Sequence, residues 1–184
     1  TVAMLEGLRV DALGVNCGLG PKQMHPIIER LTQVSSLPII VNPNAGLPRS
    51  ENGKTVFDIA PAEFSDLMEE IAGMGVQALG GCCGTTPEHL RLTIEKCRKV
   101  PFRPPVAKRR TVVSSFSQAV EIGPKPVIIG ERINPTGKSK FKAALRENNI
   151  EYILGEGMAQ EDSGAHILDV NVGLPEIDEP VMME

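Results

Sequence analysis

Short apolar runs alternate with amphipathic stretches along this chain. DALGVNC (11–17) reads as the end of a buried strand, and PKQMHPIIERLTQVS (21–35) sets Ile27, Ile28, Leu31 and Val34 at helical spacing behind Pro21. LPIIVNPNAG (37–46) is a second strand closing in turn residues, followed by a loop, LPRSENGKTVFD, and a helix, PAEFSDLMEEIAGM (61–74), stopped by Gly75. VQALGGCC (76–83) reads as a third strand, and TTPEHLRLTIEKCRK (85–99) as its following helix, with Thr86 as N-cap, Pro87 at N1 and Glu88 in the positive first turn. Strand-then-helix repetition of this kind predicts a parallel sheet.

The pattern breaks at VPFRPPVAKRRTVVSSFSQAVEIGPK (100–125), where proline and basic residues precede a pair of short strands and a turn at Gly123–Pro124. A second series then opens with PVIIGERINPTG (126–137), helices near 139–147 and 150–163, and a strand in HILDVNVG (166–173). The expected organisation is therefore a domain over 1–100, a linker over 101–125 and the start of another domain over 126–184. Both ends read as cut: a helix end precedes the first strand, and EIDEPVMME stops where a helix begins.

Composition adds exclusions. The 184 residues carry 19 basic and 23 acidic side chains, a net charge of −4, which argues against nucleic acid or an anionic membrane as main partner. The local run Lys108–Arg110 sits beside prolines and reads as solvated linker. No apolar run approaches a membrane span and no signal sequence opens the chain, so a cytoplasmic location is expected. Four cysteines, Cys17, Cys82, Cys83 and Cys97, do not suggest a disulfide framework in such a chain.

In parallel α/β folds chemistry gathers at the carboxyl ends of the strands. Cys17, Asn44 and the Cys82–Cys83 pair all fall at such ends and can converge. Three sulfurs could form a catalytic zinc site with one open position, which lowers the pKa of an incoming thiol. Adjacent residues in an extended segment point apart, so both cysteines reach one ion only across a sharp bend, which Gly80, Gly81 and Gly84 permit. Spacing alone leaves other readings open: small buried apolar residues, or a redox pair. Cys97 reads as packing, His25 and His89 as surface or capping groups on helices, and His166 as structural.

The stretches GVNCGLGP, VNPNAGLP and GGCCGTTPEHL, in that order, resemble the carboxyl-terminal part of the homocysteine-binding barrel of the cobalamin-dependent methionine synthase family. The betaine- and S-methylmethionine-dependent homocysteine methyltransferases share these motifs but do not continue into a second barrel. GERINPTGKSKFKAAL (130–145) with GAHILDVNVG (164–173) resembles the opening of the pterin-binding barrel of the same family, and the order of the two makes the match specific. The resemblance implies an α/β fold with parts of two (β/α)8 TIM barrels joined by a linker. It implies zinc held by Cys17, Cys82 and Cys83, and folate contacts from Gly137, Lys138 and Ser139. It further implies methyl transfer from 5-methyltetrahydrofolate through methylcobalamin to homocysteine, giving methionine and tetrahydrofolate. The cobalamin would be bound by a module absent from these residues, since no DxHxxG motif occurs.

A reduced pterin presents an edge rich in donors and acceptors, which carboxylates and carboxamides at strand ends suit. Glu131, Asn134, Asp169 and Asn171 fit that description. Other readings stand beside it: a Glu131–Arg132 ion pair, turn formation by Asn134 and Asn171, and a solvated helix face for Lys138, Lys140 and Lys142. Two rival functions also stand, namely a non-catalytic, divergent piece, and a corrinoid methyltransferase acting on another thiol.

Overall fold

The computed structural model describes residues 1–184, which divide into two units, Thr1–Arg109 and Arg110–Glu184. In the first unit the elements run α1 (Val2–Gly7), β1 (Leu13–Asn16), α2 (Pro21–Val34), β2 (Ile39–Asn42), β3 (Arg49–Glu51), β4 (Lys54–Val56), α3 (Pro61–Gly73), β5 (Ala78–Leu79) and α4 (Pro87–Cys97). β1, β2 and β5 form a parallel sheet in the order β1-β2-β5, with Leu13 opposite Ile39, Asn16 opposite Asn42 and Val41 opposite Leu79.

The helices cover one face of that sheet. Leu13, Ile39 and Val41 are buried there with Met24 and Ile28 of α2 and Phe64, Met68 and Ile71 of α3. Each helix offers residues three or four apart, the spacing that forms one apolar stripe. The lateral row Gly14, Ile40 and Ala78 lies on the opposite face and is exposed. The sheet has three strands and does not close into a barrel. Strands expected to be buried are thus covered on one face.

Two local features depart from expectation. The segment 47–58, read as a loop, contains the antiparallel hairpin β3–β4 around Asn52 and Gly53, both with positive φ (51° and 73°). That backbone is the one two-residue hairpin turns require. The third strand is shortened to Ala78–Leu79; Gly80 N–H still donates to Val41 O at 2.9 Å, and the chain then bends into the cysteine turn.

The segment expected as solvated linker is anchored at its start. Gln77 accepts from Ile39 N–H at 2.7 Å through Oε1, and its Nε2 donates to Gly75 O at 2.7 Å and to Arg103 O at 2.9 Å. Lys108 N–H donates to Ser36 Oγ at 3.0 Å. Arg103 and Lys108 are therefore tied to the amino-terminal end of the first unit's sheet, while the residues between them are exposed.

The second unit begins with the antiparallel pair β6 (Thr111–Ser114) and β7 (Ala119–Ile122), the two short strands expected there. It continues with β8 (Ile129–Ile133), α5 (Ser139–Arg146), α6 (Ile150–Asp162), β9 (Ile167–Val170) and α7 (Glu179–Met183). β8 and β9 pair in parallel, with Ile129 opposite Ile167 and Ile133 opposite Val170. Ile133, Phe141, Leu145, Val172 and Leu174 form this unit's core. His166 is structural: its Nδ1 accepts from Ile128 N–H at 3.0 Å. No helix is long and apolar enough to cross a membrane.

Candidate metal centre

The chain end of β1 carries Cys17 in a left-handed conformation, φ 62°. L-residues adopt this region at a cost of about 1–2 kcal/mol, so the backbone is bent for a reason other than local preference. Cys17 N–H still donates to Asn42 O at 3.0 Å, which pins the thiol beside the end of β2.

Beyond β5 the chain folds sharply, as two adjacent ligands require. Thr85 N–H and Thr85 Oγ1 both donate to Cys82 O, at 3.2 and 2.6 Å, closing a turn with Gly84 in its third position at φ 78°. That position favours glycine. A Cβ there would also lie 2.4 Å from the Phe57 ring.

The loop after β2 holds this turn from below. Cys82 N–H donates to Pro43 O at 2.8 Å, Cys83 N–H to Asn44 Oδ1 at 3.1 Å, and Ala45 N–H to Cys83 O at 2.9 Å. Asn44 is 2% exposed and its N–H donates to Leu19 O at 2.9 Å.

The result is a compact sulfur triangle. Cys17 Sγ lies 3.6 Å from Cys83 Sγ, Cys82 Sγ lies 3.8 Å from Cys83 Sγ, and all three fall within 4.8 Å of one another. A tetrahedral site with metal–sulfur bonds of about 2.3 Å has sulfur–sulfur edges of about 3.8 Å. These residues fit a zinc ion, and all four cysteines of the chain are free thiols. Cys83 is exposed and Cys17 and Cys82 are half-buried, so the triangle opens toward solvent.

Electrostatics agree with a set of groups that needs a cation. The Cys17 thiol is lowered below its usual range, first by the Gly18 backbone N–H and then by the Cys82 and Cys83 thiols. Cys83 is pushed up to about 11 by its hydrogen bonds to Cys17 and Cys82 and by their negative charge. Without a cation the Cys17 thiolate is favoured and Cys83 keeps its proton; a divalent ion reverses the second effect.

Cys97 stands outside the cluster, packed against the core of the first unit, and burial pushes its thiol up. His89 is a capping group, but it is also buried, at 5% exposure. Its Nδ1 accepts from Thr86 N–H at 3.2 Å and lies 2.9 Å from Thr86 Oγ1, and its Nε2 lies 3.0 Å from Ile59 O. The part played by Phe57 is not evident from the sequence. The Asn-Gly pair that builds the hairpin ahead of it was the available signal.

In the second unit, Glu131 lies on β8, and Asn134, Gly137, Lys138 and Ser139 follow it into the start of α5. Lys138 Nζ donates to Arg132 O at 2.9 Å and lies 3.9 Å from Glu131, so the ion pair of Glu131 forms with Lys138 rather than Arg132. Asn134 Oδ1 accepts from Thr136 N–H at 2.9 Å and Asn171 Oδ1 from Gly173 N–H at 2.8 Å, so both carboxamides form turns within their own loops. Asn171 N–H donates to Ile133 O at 2.8 Å, bringing the ends of β8 and β9 together. Asp169 is exposed on β9.

Comparison with known proteins agrees with this arrangement. The chain is 34% identical over 179 residues to the methionine synthase of Mycobacterium leprae (strain TN), covering 93% of this chain and 15% of that protein. It is 32% identical over 176 residues to the methionine synthase of Mycobacterium tuberculosis (strain ATCC 25618 / H37Rv), covering 91% of this chain and 14% of that protein. The chain thus spans about one seventh of the relatives it matches. Residues 1–97, which contain all three clustered sulfurs, match the family model described as homocysteine S-methyltransferase. The chain belongs to the homocysteine S-methyltransferase family.

Proposed function

We propose that this chain is a segment of an enzyme that moves a methyl group from 5-methyltetrahydrofolate, through cobalamin, to homocysteine, yielding methionine and tetrahydrofolate. Residues 1–100 would form the closing part of a zinc-bearing (β/α)8 barrel, 101–125 the connection, and 126–184 the opening part of a pterin-binding barrel. The cobalamin-binding module would lie elsewhere in the same protein. The observation that carries this reading is the sulfur triangle, two of whose edges, 3.6 and 3.8 Å, match those of a tetrahedral zinc–thiolate site.

Cys17, Cys82 and Cys83 would hold the zinc as three thiolates with one vertex left for substrate. When bound, the ion supplies a Lewis-acid centre that keeps the homocysteine sulfur deprotonated at neutral pH. The chain's own groups then hold the cluster in shape. Gly18 N–H and Asn44 meet the charge on Cys17, and Asn44 Oδ1 fixes the backbone of Cys83. The exposure of Cys83 supports approach of the methyl donor from that side.

For the pterin, the exposed carboxylates of Glu131 and Asp169 would accept from its amide and amino edge. Asn134 and Asn171 have their oxygens engaged in turns, so their NH2 groups are the atoms available to a ligand. Gly137, Lys138 and Ser139 would form the loop beside the ring, with Lys138 shared between Glu131 and the strand backbone.

Metal analysis tests the first site. The purified chain is expected to carry one zinc per molecule, lost on Cys82→Ala; an unaltered chain that takes up no zinc would favour the divergent, non-catalytic alternative. A chelator separates the two sites. Zinc removal should abolish homocysteine binding and leave pterin binding intact, both read by calorimetry. Equal loss of both would contradict separate sites.

A further inference from the structure

We infer that His89, six residues past the cysteine pair and not itself a ligand, is a positioning residue that locks the Cys82–Cys83 turn in ligating geometry. The inference rests on the zinc reading and extends it to a group outside the triangle.

The imidazole's partners assign its proton. A carbonyl oxygen only accepts, so Nε2, 3.0 Å from Ile59 O, carries the hydrogen. Nδ1 is then the acceptor for Thr86 N–H at 3.2 Å. One ring therefore joins the chain just after the cysteine turn to the chain just after the β3–β4 hairpin.

From Ile59 the linkage runs back to the cluster through the backbone. Ile59 N–H donates to Ala45 O at 3.0 Å, and Ala45 N–H donates to Cys83 O at 2.9 Å. Asn44, next along, accepts from Cys83 N–H at 3.1 Å. Cys83 is thus gripped on both sides of its peptide by a loop whose far end is held by His89. The ring is fixed in turn by an edge-on contact with Phe64, centroids 5.3 Å apart at 84°. Phe57 lies against Gly84 of the turn. Partners that orient metal ligands from outside commonly change metal affinity about 10–100-fold when removed.

Two substitutions separate the ring's atoms. In His89→Asn the side-chain oxygen reaches the Nδ1 position, so the Thr86 contact survives and the Ile59 contact is lost. In His89→Gln the amide NH2 reaches the Nε2 position, so the Ile59 contact survives. The full chain and each variant are titrated with zinc against a chromophoric chelator, and with Co2+ to read the thiolate-to-metal absorption bands. Ile28→Ala, a core change on α2 that removes none of these hydrogen bonds, controls for lost stability.

The expected result is zinc affinity about tenfold lower in His89→Asn with altered Co2+ bands. His89→Gln should restore both toward the unaltered chain, and Ile28→Ala should lose stability with its bands unchanged. Equal affinity and identical bands in His89→Asn and the unaltered chain would overturn the inference and leave the zinc reading standing. So would a loss in His89→Asn matched by Ile28→Ala. An unaltered chain that binds neither ion would remove the zinc reading, and the inference with it.

Discussion

At the scale of single residues, the cluster is built from backbone that ordinary sequence preferences disfavour. Cys17 at φ 62° is the clearest case. Replacing it by glycine relieves strain of about 1–2 kcal/mol and adds an unfolded-state entropy cost of about 0.5–1 kcal/mol. Cys17→Gly should therefore fold with stability within about 1.5 kcal/mol of the original, measured by denaturant melts without metal, while losing zinc. Gly84→Ala should do the reverse and damage the fold locally, because its Cβ meets Phe57 in a conformation glycine favours. The three cysteines were legible as strand-end groups. The buried side chain of Asn44, accepting from Cys83 N–H, was not, because its partner lies 39 residues away and a carboxamide before a turn reads first as turn chemistry.

At the scale of elements, periodicity was a sound guide where an apolar stripe had a sheet to cover. The patterns over 21–35 and 61–74 appear as α2 and α3 within a residue or two. The hairpin β3–β4 escaped because its strands are polar and exposed on both faces, so no apolar alternation marks them; only its Asn-Gly turn did. In the second unit, Phe141 anchors α5 at 1% exposure, and Phe141→Ala should cost about 3–5 kcal/mol by denaturant melting. The same helix is tied at its end by Arg146, whose guanidinium donates to Glu176 at 2.6 Å and holds that carboxyl below the usual range. A depressed carboxyl contributes stability above its unfolded pKa and loses it as pH falls through the folded value. Acidification should therefore weaken this unit, by a small amount since both groups are half-exposed. Arg146→Ala should flatten that acid limb, compared by melts between about pH 7 and pH 3.

At the scale of the whole molecule, zinc binding under the proposed function would be one equilibrium with folding of the first unit, because the three clustered thiols come from the ends of β1 and β5 and meet only when the sheet forms. Free zinc at about 100 times its Kd should stabilise the folded chain by about 2.7 kcal/mol, read as a shift in denaturant midpoint that Cys82→Ala abolishes. By itself the sequence determined the alternation of strands and helices, the division into two series and the identity of the thiols. Those features are written in local period and residue type, which neighbouring positions decide. The tertiary structure alone decided that strands apolar throughout are covered on one face and open along Gly14, Ile40 and Ala78. It also decided that Arg103 and Lys108, in an otherwise exposed proline-rich stretch, are bonded through their backbones to Gln77 and Ser36, and that a histidine readable as a surface or capping group is buried and reaches Ile59. Each of these depends on contacts between residues far apart along the chain, and such contacts leave no periodic mark in the segments that make them.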